Sequence, residues 1–396
     1  MIARRLLRWA GIAFAALAVL LFVGVGSIWL WARPTPPDAF YAPPASSPFQ
    51  PGALIRAEAF GRGAPPGARG WRILYGTTRH DGRPAVASAL VVVPATAGAA
   101  PLRVVAWTHG TTGVEPGCAP SLLREPFAGM GAIPRALEQG WAIVATDYEG
   151  LGTAGPHPYL IGQGEARSAL DSIRAARRLP GQRLADGVVV WGHSQGGGAA
   201  LWTGLIAPAY APDVRIAGVA AAAPASDLPA LLEEVQHTVV GRMLSSYVMR
   251  AYADAYPDVT FDGYVRPLVR PLAYDMASRC MSDRRALVSA IEAKAAGGSL
   301  FARPPSLGPL GRRLAENTPQ GRLAAPVLIA QGLADDLVLP TVQDRFVAAW
   351  RAQGQEVDYR TYAGRDHLSL LAPDAPFTSE LLAWTRDRFA EKAEGR

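Results

Sequence analysis

The chain has 396 residues, 49% of them hydrophobic and 18% charged, with a formal net charge of +6. Four of its 39 basic side chains (Arg4, Arg5, Arg8 and Arg33) border one N-terminal apolar segment, which leaves 35 basic against 33 acidic elsewhere. Scattered arginine of that kind excludes a nucleic-acid footprint, and two distant cysteines with no histidine pair at ligand spacing exclude a zinc site.

The first element is the apolar segment itself. Trp9 to Ala32 runs 24 residues without a charge, long enough to span a bilayer as a helix. It closes on Ser27-Ile28-Trp29-Leu30-Trp31-Ala32-Arg33 with no Ala-x-Ala site. Residues 1–33 therefore read as a retained signal anchor in preference to a cleaved signal peptide. The arginines precede the segment, so the positive-inside rule puts everything after it outside the cytoplasm, periplasmic or extracellular, and secreted if the segment is cleaved. Residues 34–52, beginning Pro34-Thr35-Pro36-Pro37, read as an extended spacer.

Leu102 to Trp107 reads as a buried strand, the third of its sheet, followed by Thr108-His109-Gly110-Thr111-Thr112-Gly113. Trp141 to Thr146 is a second such strand, and Asp147 and Tyr148 at its end either shape a pocket wall or pack the loop. The apolar run Val188 to Trp191 then enters Gly192-His193-Ser194-Gln195-Gly196, and a helix begins at Gly197. Strand, Gly-x-Ser-x-Gly, helix is the pattern of a nucleophile elbow, in which a sharp turn holds the serine hydroxyl above the sheet. Glycines are needed where strand and helix crowd the turn. The N–H of Gln195 is expected to face a developing oxyanion. The second donor is expected in the loop after Trp107, at the N–H of Thr111 with Thr112 as the alternative.

After the strand Val214 to Ala221 comes a segment with Leu231, Val235, Val239, Met243 and Tyr247 at i, i+4 spacing, an apolar helical stripe. Residues 228–320 are assigned to a helical lid or cap; 53–227 and 321–396 form the catalytic domain. Val327 to Gly332 is another buried strand and delivers Asp335 and Asp336 to the edge where α/β sheets gather catalytic groups. Asp335 is preferred as the acid because it begins the loop. A helix from Thr341 to about Gln353 and a strand Val357 to Tyr362 follow, ending at Arg365-Asp366-His367. His367 alone among the histidines lies downstream of the acid loop. His80 reads as an exposed turn residue, His193 as a packing residue, and His157 and His237 lack strand-end context; Asp366 reads as a turn residue. The expected set is Ser194 as nucleophile, His367 as base and Asp335 as its orienting acid. The fold class is α/β: an α/β-hydrolase fold with a mostly parallel central sheet flanked by helices.

Thr108 to Gly113, Thr146-Asp147-Tyr148-Glu149-Gly150-Leu151-Gly152, His157-Pro158-Tyr159-Leu160 and Gly192 to Gly197 together resemble the secretory lipase family, the fungal lipase A type among them. The resemblance covers roughly residues 40–390. It implies a serine esterase or lipase that needs no cofactor, acting on a small-molecule or lipid ester through an acyl-serine intermediate, with a helical insertion over the site. Carried over by position, the family's triad falls on Ser194, Asp335 and His367. It also implies a disulfide between Cys118 and Cys280, tying the insertion to the main domain, which requires an oxidising compartment. Two other outcomes stay open: an acyltransferase or peptidase on the same triad, and an inactive membrane-tethered binding module.

Overall fold

The computed structural model describes residues 2–44, 50–96, 98, 100–127, 129, 131–282 and 285–390. In chain order the elements are α1 (Ile2–Trp31), β1 (Leu54–Ala59), β2 (Ala68–Thr78), β3 (Pro84–Pro94), β4 (Leu102–Thr108), α2 (Ile133–Glu138), β5 (Ala142–Glu149), α3 (Gly162–Ala176), β6 (Leu184–His193), α4 (Gln195–Tyr210) and β7 (Arg215–Ala222). Helices α5 (Leu228–Val235), α6 (Val239–Ala255), α7 (Phe261–Tyr264), α8 (Arg270–Ala277), α9 (Ala286–Ala296) and α10 (Gly308–Glu316) follow. Then come β8 (Val327–Gly332), α11 (Pro340–Ala352), β9 (Asp358–Tyr362) and α12 (Pro376–Ala390).

The strands form one sheet in the order β1-β2-β3-β5-β4-β6-β7-β8-β9. β1, β2, β3 and β5 pair antiparallel, and from β5 to β9 every pairing is parallel. The parallel strands are apolar at successive positions because both faces are covered. Val104 and Ala106 of β4 enter the core shared with α3, α4 and α11, while Val105 and Trp107 enter the opposite core with α2 and α12. β4 is the fourth strand in the chain, not the third, because β1 to β3 all precede it.

Helices α5 to α10 lie between β7 and β8 and bury a core of their own, with Tyr247, Tyr252, Tyr264 and Leu310 among its members. The apolar stripe expected as one helix is divided between α5 and α6. Thr238 caps α6 by accepting from the Gly241 N–H at 2.9 Å, and a Cβ at Gly241 would lie 1.7 Å from the Val235 carbonyl oxygen. The chain therefore turns there too tightly to remain helical.

The 25-residue apolar stretch Leu7–Trp31 of α1 is long enough to cross a membrane, and the side chains described along it are uncovered except near its end. Part of the expected spacer is folded onto the domain: Phe40 and Tyr41 are buried against Leu74, and Asp38 pairs with Arg72 at 2.8 Å. Residues 45–49 of that spacer lie outside the described residues.

Candidate active site

Steric crowding builds the elbow between β6 and α4. A Cβ at Gly192 would lie 2.0 Å from the Gly196 carbonyl oxygen, and one at Gly196 would lie 2.0 Å from that of Thr108. Neither position admits a side chain. Between them Ser194 adopts φ 57°, ψ −123°, a left-handed backbone costing about 1–3 kcal/mol that the surroundings must hold in place. They do so through hydrogen bonds. The Ser194 N–H donates to Ala222 O at 3.0 Å, and the Ala225 N–H donates to Ser194 O at 2.9 Å. From the neighbouring strand, the Thr108 hydroxyl lies 3.0 Å from Trp191 O and 2.7 Å from Gly196 O, bracing both sides of the turn.

The loop after β4 runs alongside. A Cβ at Gly110 would lie 3.6 Å from Ser194 Cβ, so Thr111 follows directly beside the serine. Gln195 is the first residue of α4, and its N–H has no carbonyl one turn back to bond. Among the described residues the Thr111 N–H is not spent on a backbone carbonyl either. The Thr111 hydroxyl shares a hydrogen bond with Tyr159 Oη at 2.9 Å.

The acid and the base arrive on adjacent strands. A Cβ at Gly332 would lie 2.3 Å from Arg365 O, and the Ala334 N–H donates to that same oxygen at 2.9 Å, so the loops after β8 and β9 touch. Asp335, buried, accepts through Oδ1 from the N–H groups of Leu337 (2.9 Å) and Val338 (2.8 Å). Its Oδ2 accepts from His367 Nδ1 at 2.8 Å. A carboxylate can only accept, so Nδ1 carries the proton and Nε2 is left as the basic nitrogen. Asp336 is exposed and does not make this contact; Asp366 accepts from the N–H groups of Leu368 and Ser369, as a turn residue does. His193 is buried and donates through Nε2 to His367 O at 2.9 Å. Burial, with the His367 ring beside it, pushes its pKa down to about 3.

Beneath the elbow lies a buried polar cluster that the sequence did not signal. The Gln195 side-chain amide donates to Glu165 Oε1 at 2.6 Å and lies 3.2 Å from His157 Nε2. Glu165 Oε1 also accepts from the Leu160 N–H at 3.0 Å. His157 donates through Nδ1 to Glu149 O at 3.1 Å, which leaves its Nε2 as an acceptor. Burial raises the Glu165 carboxyl to about 8 and lowers His157 to about 3, so both are neutral at pH 7. His157 and Glu165 thus set the side chain of Gln195, whose backbone faces the serine.

Asp147 is buried, accepting from Ser88 Oγ at 2.6 Å and the Ser121 N–H at 2.9 Å; it packs the loop. Tyr148, at φ 64°, is buried between the rings of His109 and His157. His80 is half-buried against Tyr256 rather than exposed.

The expected disulfide is present, Cys118 to Cys280, with a Cα–Cα distance of 5.3 Å. It fastens the chain after α8 to the loop that carries Thr111. The Met281 N–H donates to Thr112 O at 2.8 Å, and Tyr247 of α6 meets the Tyr159 ring edge-on at 6.0 Å. Among the described residues no group of three or more His, Cys, Asp or Glu is arranged to hold a metal ion.

The sequence profile of the secretory lipase family matches residues 128–396, more than half of the chain. The chain belongs to the secretory lipase family. Among known proteins, it is 29% identical to a probable inactive lipase of Mycobacterium tuberculosis over 90% of this chain and 82% of that one. It is 25% identical to Lipase A of Arthroderma benhamiae over 90% and 80%. Among solved structures, the rice cell wall degrading esterase LipA of Xanthomonas oryzae superposes with a TM-score of 0.68 at 20% identity, covering 87% of this chain and 99% of that one. Candida antarctica lipase A gives 0.67 at 18% identity, covering 84% and 81%. These structures share the α/β-hydrolase fold with this chain. Lipases are carboxylic ester hydrolases, and that is the class of this secretory lipase family member.

Proposed function

We propose that the protein hydrolyses apolar acyl esters through an acyl-Ser194 intermediate. In this scheme His367 Nε2 takes the proton of the Ser194 hydroxyl as it attacks the ester carbonyl. Asp335 holds the imidazole in the required tautomer and stabilises its cation. The N–H groups of Gln195 and Thr111 receive the oxyanion, an effect that typically contributes on the order of 10²–10³ in turnover per donor. His367 then protonates the leaving alcohol and activates the water that releases the acid. The observation that carries the proposal is the His367–Asp335 hydrogen bond at 2.8 Å at the same sheet edge as a serine held at φ 57°. The apolar core of α5 to α10, reaching Thr111 through Tyr159, favours a cap that excludes water and an apolar acyl group.

The domain is further proposed to lie outside the cytoplasm, tethered by α1. Arg4, Arg5 and Arg8 before the apolar stretch support that orientation, and the disulfide supports an oxidising compartment. One relative bears the name probable inactive lipase, which favours a catalytically silent tethered protein as the second reading. Full-length protein in detergent, challenged with a nitrophenyl ester series and a fluorophosphonate probe beside Ser194→Ala, separates the two. Serine-dependent turnover and labelling are expected. A folded wild type that does neither refutes the esterase.

A further inference from the structure

The last turn of α1 is built into the helical insertion. The Trp29 indole N–H donates to Asp275 Oδ1 of α8 at 2.8 Å. Arg279, wholly buried, pairs with Asp275, donates to Trp29 O at 3.2 Å, lies over the Trp29 ring, and reaches Glu292 of α9 at 3.7 Å. Arg285, next to α9, donates to Arg33 O at 2.9 Å with its guanidinium 6.0 Å from the Trp31 ring. A peptide destined for removal has no need of such a socket. A buried guanidinium partly covered by one tryptophan would lose a hydrogen bond and its cover if that tryptophan left.

The socket fixes direction as well as attachment. With α1 as a retained anchor, the bilayer would begin at this point, since tryptophans at the end of a span sit at the membrane–water interface. Arg285, held against Arg33 and Trp31, would then lie at headgroup level, and α9 starts there. Leu287 and Ile291, one turn apart on α9, are 66% and 62% exposed, and about 6 Å of helix separates them. Outside α1, eight large apolar side chains are exposed among the described residues, and six of them belong to the insertion (Val240, Leu268, Tyr274, Leu287, Ile291 and Leu307). Exposed apolar side chains that begin two residues beyond Arg285, which holds the end of a span, are of the kind that a lipid interface covers.

We propose that the Trp29–Asp275–Arg279 clamp holds the insertion on the outer surface of the bilayer that α1 enters, with Leu287 and Ile291 immersed among the lipid headgroups. This rests on α1 being a retained anchor. The domain is then not a tethered ball at the end of a flexible leash: its insertion, which also fastens the loop beside Ser194, meets lipid directly.

The test uses full-length protein in phosphatidylcholine–phosphatidylglycerol vesicles. The two native cysteines are joined to each other, so single cysteines introduced as Leu287→Cys, Ile291→Cys or Glu138→Cys take an environment-sensitive fluorophore selectively. Glu138 is exposed at the end of α2 and precedes β5, at the sheet edge opposite the serine. Quenching by nitroxide lipids several-fold stronger at 287 and 291 than at 138 is expected, and Trp29→Ala should abolish the difference while the protein still floats with the vesicles. Labels at 287 and 291 no better quenched than at 138, in protein that floats and keeps its N-terminus by mass, overturn the proposal and leave the anchor intact. Protein that does not float and begins after residue 33 overturns the anchor itself. Unchanged quenching in Trp29→Ala refutes the clamp.

Discussion

Glu165→Gln isolates the buried cluster beneath the elbow. The Glu165 carboxyl has an ordinary value of 4.5 and is raised to about 8 by burial. Between those values the unfolded chain has released the proton that the native state still holds. Each pH unit in that window therefore costs the native state about 1.4 kcal/mol from this group alone. From pH 5 to 7.5 the loss is about 3 kcal/mol, or about 1 M in urea midpoint at a slope of about 3 kcal/mol/M. Glutamine does not ionise, and its amide oxygen can still accept from Gln195 Nε2 and Leu160 N–H. The assay is urea unfolding of wild type and Glu165→Gln across pH 5 to 7.5. The two stabilities are expected to approach one another at pH 5 and separate as pH rises, the variant becoming the more stable. Glu149, also raised to about 8 by burial, gives both proteins a common slope that cancels in the comparison. Glu165→Ala should instead be weaker than Glu165→Gln at every pH, because it deprives the Gln195 amide and the Leu160 N–H of their acceptor at about 1–3 kcal/mol each, and should lower turnover by releasing Gln195. Parallel lines for wild type and Glu165→Gln would refute the reasoning, since they would mean that the native state ionises Glu165 as readily as the unfolded chain.

Asp335→Asn is expected to lower kcat by about 10³–10⁴ with little loss of fold. The Leu337 and Val338 N–H groups hold Oδ1, so the amide nitrogen replaces Oδ2 and faces His367 Nδ1, forcing the wrong tautomer. Steady-state kinetics at saturating ester, with circular dichroism as the fold control, checks this. Removing the disulfide by Cys118→Ser with Cys280→Ser opens a closure of 162 residues, for which chain entropy allows a loss of up to about 5 kcal/mol. Urea unfolding should show this loss, and dithiothreitol should then shift the wild type but not the double variant.

Much of the parallel sheet was legible because its strands are covered on both faces and therefore apolar at successive positions. Leu102 to Trp107, Val188 to Trp191 and Val327 to Gly332 all announce themselves this way. β1 to β3 do not. β1 is an edge strand whose last three residues are exposed, and its pattern mixes Arg56 and Glu58 with Leu54 and Ile55. The division of α5 from α6 was hidden because i, i+4 spacing continues across the turn by coincidence, while the break lies in Thr238 and Gly241. The order and spacing of Ser194, Asp335 and His367 could be proposed from strand ends alone. The Glu165–Gln195–His157 cluster could not: its members are 30 and 38 residues apart and meet only once α3 packs under α4. Tyr148 was unreadable for another reason, since nothing in a tyrosine marks a left-handed backbone.

The hydrogen bond from His193 to the main chain of His367 has a mechanical consequence. Ser194 is the next residue along, so the proposed nucleophile and base hang from the two ends of one short linkage. A thermal swing of the loop after β9 drags on the elbow, and a swing of the elbow drags on the loop. Proton transfer is sensitive to the separation of the two groups and indifferent to their absolute positions. Coupling the groups in this way lets the surrounding loops drift together without spoiling the one distance on which the chemistry depends.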